Sequence, residues 1–98
     1  MPTNAEVLSQ LDLIRTNLQV LIDNSGLRDR KELQPQLDKA NEAYDAFQAK
    51  VIAGGIVVSD ADMQEMSQIK QDVDAAAQKE EIVNAIAKVV AFMAKKMI

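Results

Sequence analysis

Hydrophobic residues in the first half of the chain recur at alternating intervals of four and three positions, in two separate runs. The runs are Val7, Leu11, Ile14, Leu18 and Leu21, then Leu33, Leu37, Ala40, Tyr44, Phe47 and Val51. This spacing places each run on one face of an α-helix, as in coiled coils and helical bundles. Because a short turn sequence with a glycine separates the runs, they predict an antiparallel helical hairpin.

Capping signals set the expected bounds of the first helix. Thr3 or Asn4 can cap a helix over residues 4–24, with an acid in its first turn. The sequence Asn24-Ser25-Gly26 tolerates the left-handed backbone that ends many helices, and Leu27 is placed to be the hydrophobic contact beyond such a cap.

The second helix is expected over about residues 30–53, beginning between Arg28 and Gln34. Pro35 suits a first helical turn but kinks a helix interior, so it makes this start ambiguous. Gly54-Gly55 ends the helix, and an apolar connector over residues 56–58 is expected to cross one end of the bundle. Ser59 then caps a third helix whose first turn is acidic.

From residue 60 to residue 96 the chain contains neither Gly nor Pro. Its first part, from Met66 to Ala77, and its last part, from Ile82 to Met97, carry apolar stripes that point roughly 130° apart at about 100° per residue. We expect a straight or gently kinked helix whose end faces a different partner. The alternative is a break near Gln78-Lys79 and a fourth helix that folds back.

The predicted fold is therefore all-α, an antiparallel helical hairpin plus a long C-terminal helix that is either continuous, with or without a kink, or broken. This corresponds to a three- to four-helix bundle in a single domain. The expected helices cover about residues 4–24, 30–53, 60–78 and 79–97, and the last two are either separate or continuous.

The last seventeen residues, 82–98, hold three lysines, no acid and a wide apolar face. We predict that this face is an interface with a second chain. Its residues are Ile82, Val83, Ile86, Val89, Val90, Met93 and Met97. Leu13 and Val20 lie opposite the main apolar face of the first helix; they are either ordinary exposed residues or, if buried, part of a subunit interface.

Charge is unevenly distributed along the chain. The net charge is −4 overall, divided as −7 over residues 1–81 and +3 over residues 82–98. The acidic body makes nucleic acid an unlikely partner, because phosphate binding requires a basic surface. Lys95 and Lys96 are explained by the carbonyl end of a helix dipole. We expect Arg28, Arg30 and Lys31 to form local salt bridges with the neighbouring acids of the second helix.

Candidate chemistry is sparse. With no His and no Cys, the chain lacks imidazole bases, thiol nucleophiles and their paired arrangements. Asp60, Asp62 and Glu65 resemble a calcium loop only superficially, since the loop Gly and the terminal Glu are missing. We predict no catalytic residue, no cofactor and no metal site. No run approaches about 18 apolar residues, no signal peptide is indicated, and the expected location is cytoplasmic.

These observations predict a non-enzymatic helical module for protein–protein interaction or assembly. Its expected partner is a second copy, a dimer being favoured, or another helical protein. One alternative is a peripheral membrane protein that uses the amphipathic helix 82–98 and its lysines. Another is an acidic inhibitor or immunity-type protein that masks a basic toxin or nucleic-acid-binding site.

Overall fold

The computed structural model describes residues 3–97, and this part of the chain contains four α-helices and no β-strand. The helices are α1 (Asn4–Asp23), α2 (Leu27–Ile52), α3 (Asp60–Ala75) and α4 (Lys79–Met97). The predicted all-α bundle is confirmed, in its four-helix form. Its radius of gyration is 13.2 Å, about the value of a compact domain of this length, so α4 folds back on the bundle.

In the bundle α2 and α3 lie diagonally across from each other, and their backbones do not approach closely. Both α1 and α4 pack against α2 and against α3. The side-chain amide of Asn4 donates to the Val51 carbonyl at 3.3 Å, which places the start of α1 beside the end of α2, so the two helices are antiparallel. Lys79 lies 2.7 Å from Glu32, so α2 and α4 begin at the same end and run parallel. Likewise, α3 is antiparallel to α4 and parallel to α1.

The apolar faces predicted for the hairpin meet in the core. All six apolar residues of the second run are buried. In α1 the last core position belongs to Ile22 rather than Leu21, which is half-buried. The core of α3 contains Met66, Ile69 and Val73, as the sequence indicates.

The turn between α1 and α2 differs from the expected one. Its backbone stays out of the left-handed region; within residues 3–97 a positive φ occurs at Gly54, where α2 ends. Gly26 instead adopts an extended conformation and its carbonyl accepts from the Arg30 amide at 2.9 Å. Therefore α2 begins earlier than expected, at Leu27, and this side chain is 62% exposed rather than packed against a cap.

Pro35 lies inside α2, not in its first turn. It lacks the N–H that would donate to the carbonyl of Lys31. Because both positions are exposed, water can take that hydrogen bond, and the helix continues to Ile52.

The connector, residues 53–59, crosses the bundle diagonally from the end of α2 to the start of α3. Ile56 and Val58 are buried and Val57 is 74% exposed, so alternate side chains face the core, as in any extended segment. The Ser59 side chain accepts from the Asp62 amide while the Asp62 carboxylate accepts from the Ser59 amide at 2.9 Å. This capping box starts α3 at the predicted cap.

The expectation of one straight or gently kinked helix from residue 60 onward is wrong. Ala76 adopts an extended conformation with ψ 131°, and α4 begins only at Lys79. The Glu81 carboxylate accepts from the amides of Ala77 and Gln78 at 3.1 and 3.0 Å, which caps the new helix. The break turns the apolar face of α4 into the core, so burial of that face outweighs the helix propensity of the alanine run.

Candidate interaction surfaces

The apolar face of α4, predicted to be an interface with a second chain, lies mainly inside its own bundle. Four of its seven residues are buried, with exposures between 1% and 3%: Ile82, Ile86, Val89 and Met93. The other three are half-buried and pack on the same core: Val83, Val90 and Met97. In this fold the buried four are not available to a partner, because α4 completes the core with them.

The sequence interpretation missed Phe92, which is also buried. Its ring centroid lies 6.4 Å from that of Phe47 in α2, with the ring planes tilted by 48°, a geometry typical of favourable aromatic pairs. The signal was present, since Phe92 is one residue before Met93 and widens the same face. This contact anchors α4 on α2.

The lysines of α4 form ion pairs with α3. Three bridges join the two helices, Lys88 to Asp72 at 2.7 Å, Lys95 to Glu65 at 2.6 Å and Lys96 to Asp62 at 2.7 Å. The helix-dipole explanation given to Lys95 and Lys96 is therefore incomplete. The positive tail is neutralised by the acidic helix that runs antiparallel beside it.

Asp62 is the buried charge of this contact, with 9% exposure. Burial is the largest single influence on its pKa and acts to raise it. Hydrogen bonds from Lys96 and Ser59 act in the opposite direction, and the pKa of Asp62 ends below its ordinary value. The carboxylate is thus held ionised by its two neighbours.

Leu13 and Val20 are on the surface, 43% and 51% exposed. With Ser9 and Thr16 they form an exposed row on α1, at spacings of four, three and four residues. We call these four residues the α1 strip. It carries no charge, although 27% of the chain is Asp, Glu, Lys or Arg.

Two open clefts follow the α1 strip where α1 meets α3. One has a volume of about 500 Å³ and lies between Ser9, Leu13 and Met63. The other, about 180 Å³, lies between Val20 and Val73. The strip and its clefts form a shallow, largely apolar groove, in which Glu6 lines the first cleft and Asp74 the second.

Another open cleft lies between α1 and α2. The Arg15 guanidinium carbon is 3.8 Å from the centroid of the Tyr44 ring, and Arg15 donates to Asn41 at 3.2 Å. Tyr44 is 5% exposed, as expected of a core residue with its hydroxyl at the rim, and burial raises its pKa. This cation–π contact joins the two helices, and the carboxylates of Asp12 and Asp45 line the same cleft.

Within residues 3–97 no three metal-binding side chains lie together. Asp62 belongs to the calcium-like pattern in the sequence, but its carboxylate accepts hydrogen bonds from the Ser59 amide and from Lys96. In the same residues, no helix combines the length and apolarity needed to cross a bilayer.

Comparison of the chain with protein-family models, with curated proteins and with solved structures finds no match. The arrangement of side chains on the bundle is therefore the basis for a functional proposal.

Proposed function

We propose that the protein is a non-enzymatic helical association module that pairs with a second copy of itself through the α1 strip. The observation that carries this proposal is the exposure of Leu13 and Val20 on an uncharged row. Of the nine residues predicted to form an interface, these two are the ones on the surface, whereas the other seven are buried or half-buried. An uncharged row with apolar residues is suited to contact between chains of like net charge.

A two-fold axis between Thr16 and Asn17 is the simplest pairing for this surface. In an antiparallel contact it sets Leu13 of one copy against Val20 of the other, twice, with Thr16 near the centre. The acids Glu6 and Asp23 lie beyond the two ends of the strip. Such a two-fold contact is self-complementary, which is the common form of a homodimer interface.

The alternatives receive less support from the side-chain positions. Membrane binding by residues 82–98 needs a free apolar face and free lysines, but the face packs in the core and Lys88, Lys95 and Lys96 pair with α3. Inhibition of a basic partner rests on net charge alone. A different helical protein could occupy the groove in place of a second copy, and the cytoplasmic location stays a prediction from the sequence.

Sedimentation equilibrium of the full chain over a wide concentration range tests the proposal. We choose about 0.5 M salt, where charge contacts between exposed groups are screened. The wild-type chain should be a dimer, and the double variant Leu13→Asp, Val20→Asp should be a monomer with unchanged helicity, because both positions are on the surface.

The matched control is Val57→Asp, which places an acid on an exposed apolar residue of the connector, outside the α1 strip. This variant should keep the wild-type mass. A monomeric wild-type chain, or a double variant with wild-type mass, would contradict pairing through the α1 strip.

A further inference from the structure

The basic residues of this chain divide into two groups. Each of the six outside α2 is ion-paired within residues 3–97: Arg15, Lys70, Lys79, Lys88, Lys95 and Lys96. None of the five on α2 has an ion-pair partner in the same residues: Arg28, Arg30, Lys31, Lys39 and Lys50. The local salt bridges expected at the start of α2 are thus absent there, and Glu32 pairs with Lys79 instead.

Two of these cations share an exposed row with three acids. The row follows the side of α2 opposite the core and steps by three, four, three, four and three residues. We call it the α2 stripe, and its members are Arg28, Lys31, Pro35, Asp38, Glu42 and Asp45. Its first half is basic and its second half acidic, and none of its acids has an ion-pair partner within residues 3–97.

The cations of the α2 stripe do not serve the stability of α2 itself, because a cation is unfavourable in the first turn of a helix, where the dipole is positive. The dipole effect falls off within one turn, so it does not bear on the three acids, the last of which lies seven residues before Ile52. Arg28 is the second residue of α2, and Lys31 the fifth. A charged outer face is normal for a bundle helix, but here the signs are separated along the helix. Asp38 accepts a hydrogen bond from Gln34, and within residues 3–97 the charges of the stripe form no ion pair.

When two copies of the α2 stripe are placed antiparallel, the basic half of each lies against the acidic half of the other. We propose that the α2 stripe binds the α2 stripe of a second copy in antiparallel orientation, about a two-fold axis between Gln36 and Leu37. Arg28 then lies opposite Asp45 of the second copy, and Lys31 opposite its Glu42. The axis generates each pair twice, so the contact holds four opposite-charge pairs.

The centre of this contact holds no pair of like charges, and the parallel orientation is disfavoured. At the centre Asp38 faces Pro35, which is uncharged. A parallel arrangement in register would set Arg28 against Arg28 and Asp45 against Asp45, and opposed like charges are strongly unfavourable. Charge pattern thus selects one orientation, as flanking charges do in coiled coils.

This inference rests on the proposed function, self-association, and deepens it by adding a second, electrostatic interface. The α1 strip and the α2 stripe lie on neighbouring helices, and one member of each, Ser9 and Asp45, lines the cleft between α1 and α2. Two distinct two-fold contacts join more than two chains, so at low salt the wild-type protein should form tetramers or longer assemblies.

The test uses full chains that all carry Leu13→Asp and Val20→Asp, so that the α1 strip does not contribute. Sedimentation at low salt should show this parent as a dimer that dissociates as salt is raised. One derivative adds Arg28→Glu and Lys31→Glu, which makes the stripe wholly acidic. Another adds Glu42→Lys and Asp45→Lys, which leaves Asp38 as its one acid.

Each derivative alone should self-associate at least about tenfold more weakly than the parent, because like charges now face each other. An equimolar mixture of the two should form a heterodimer, which also shows that both are folded. The control derivative, with Arg30→Glu and Lys50→Glu, has the same change of net charge as the Arg28→Glu, Lys31→Glu derivative but off the stripe, and it should associate as the parent does.

The proposal is overturned if the parent is a monomer at low salt, if either derivative associates like the parent, or if the mixture does not associate. These outcomes are independent of the α1 strip, because its residues are changed in every chain. If the wild-type protein is not a dimer at high salt, that result contradicts pairing through the α1 strip and does not bear on the α2 stripe.

Discussion

Lys96 Nζ lies 2.7 Å from the Asp62 carboxylate and so joins the last turn of α4 to the first turn of α3. The same carboxylate accepts from the Ser59 amide and completes the capping box of α3. One buried acid therefore holds three parts of the chain together, namely the end of the connector, the start of α3 and the end of α4.

Replacing Lys96 by Met should lower the free energy of unfolding by about 1.5–3 kcal/mol, because it removes a charge-assisted hydrogen bond from a nearly buried carboxylate. Urea denaturation measures the change. The matched control is Lys88→Met, whose side chain is 55% exposed, and it should cost under about 1 kcal/mol. Equal losses for the two variants would show that burial of Asp62 does not strengthen its contact.

Stability should fall in acid. Hydrogen bonds and charge from Lys79 lower the pKa of Glu32, a hydrogen bond from Lys88 lowers the pKa of Asp72, and the pKa of Asp62 is also below its ordinary value. A carboxyl group with a lowered pKa in the folded state binds protons more readily when unfolded, so its contribution is present at neutral pH and is lost as pH falls.

The loss should begin below about pH 4.5, near the unfolded-state values of Asp and Glu, and continue through the folded-state pKa values. Urea midpoints across this range measure it. In the Lys96→Met variant the dependence should be weaker, since Asp62 has lost its cation. A wild-type midpoint that stays constant or rises in acid would be incompatible with the lowered pKa values.

Glu81 should be needed for the break between α3 and α4. Its carboxylate accepts from two amides that precede α4, so Glu81→Ala should cost about 0.5–2 kcal/mol, as loss of a cap does. Glu80→Ala is the control, because Glu80 is exposed in the same helical turn. Thermal unfolding followed by circular dichroism would compare them, and a larger loss for Glu80→Ala would refute the role of Glu81.

Phe92→Ala should be the most damaging of these changes. The side chain is 1% exposed and contacts Phe47, and truncation of a buried Phe costs about 3–5 kcal/mol. Val57→Ala, at a position 74% exposed, should change stability by less than about 0.5 kcal/mol. A small effect at Phe92 would mean that α4 is held chiefly by its ion pairs.

Part of this fold follows from local pattern. The apolar runs predict the hairpin, and Ser59 predicts the start of α3, because spacing and caps act within a few residues. The break at Ala76 could not be predicted from local pattern, because alanines favour helix and no Gly or Pro interrupts them. Only the disagreement in direction between two apolar stripes indicated it, and choosing the break required knowing that α4 has a place in the core.

The interaction surfaces were harder to predict for the same reason. An apolar face such as that of α4 looks alike whether its own chain or another covers it. The pairing of Lys88, Lys95 and Lys96 with α3 depends on the antiparallel contact of two helices, which spacing within either helix does not reveal. By contrast, the position of Leu13 and Val20 opposite the core face was readable from helical periodicity alone.

The diagonal connector also determines how the chain reaches its fold. The hairpins α1–α2 and α3–α4 contain contacts between neighbours in sequence, whereas the contacts between hairpins join residues as distant as Asn17 and Asp74, which are 57 positions apart. Contacts close in sequence cost less loop-closure entropy, so docking of the two hairpins, which closes the longer loops, is expected to be the slower part of folding. Residues 53–59 tether the two during this search, and each doubling of their number would cost only about 0.6 kcal/mol in closure entropy. Because Ile56 and Val58 are themselves buried, the tether becomes part of the core as docking ends, and shortening or polar replacement there should slow folding more than lengthening does.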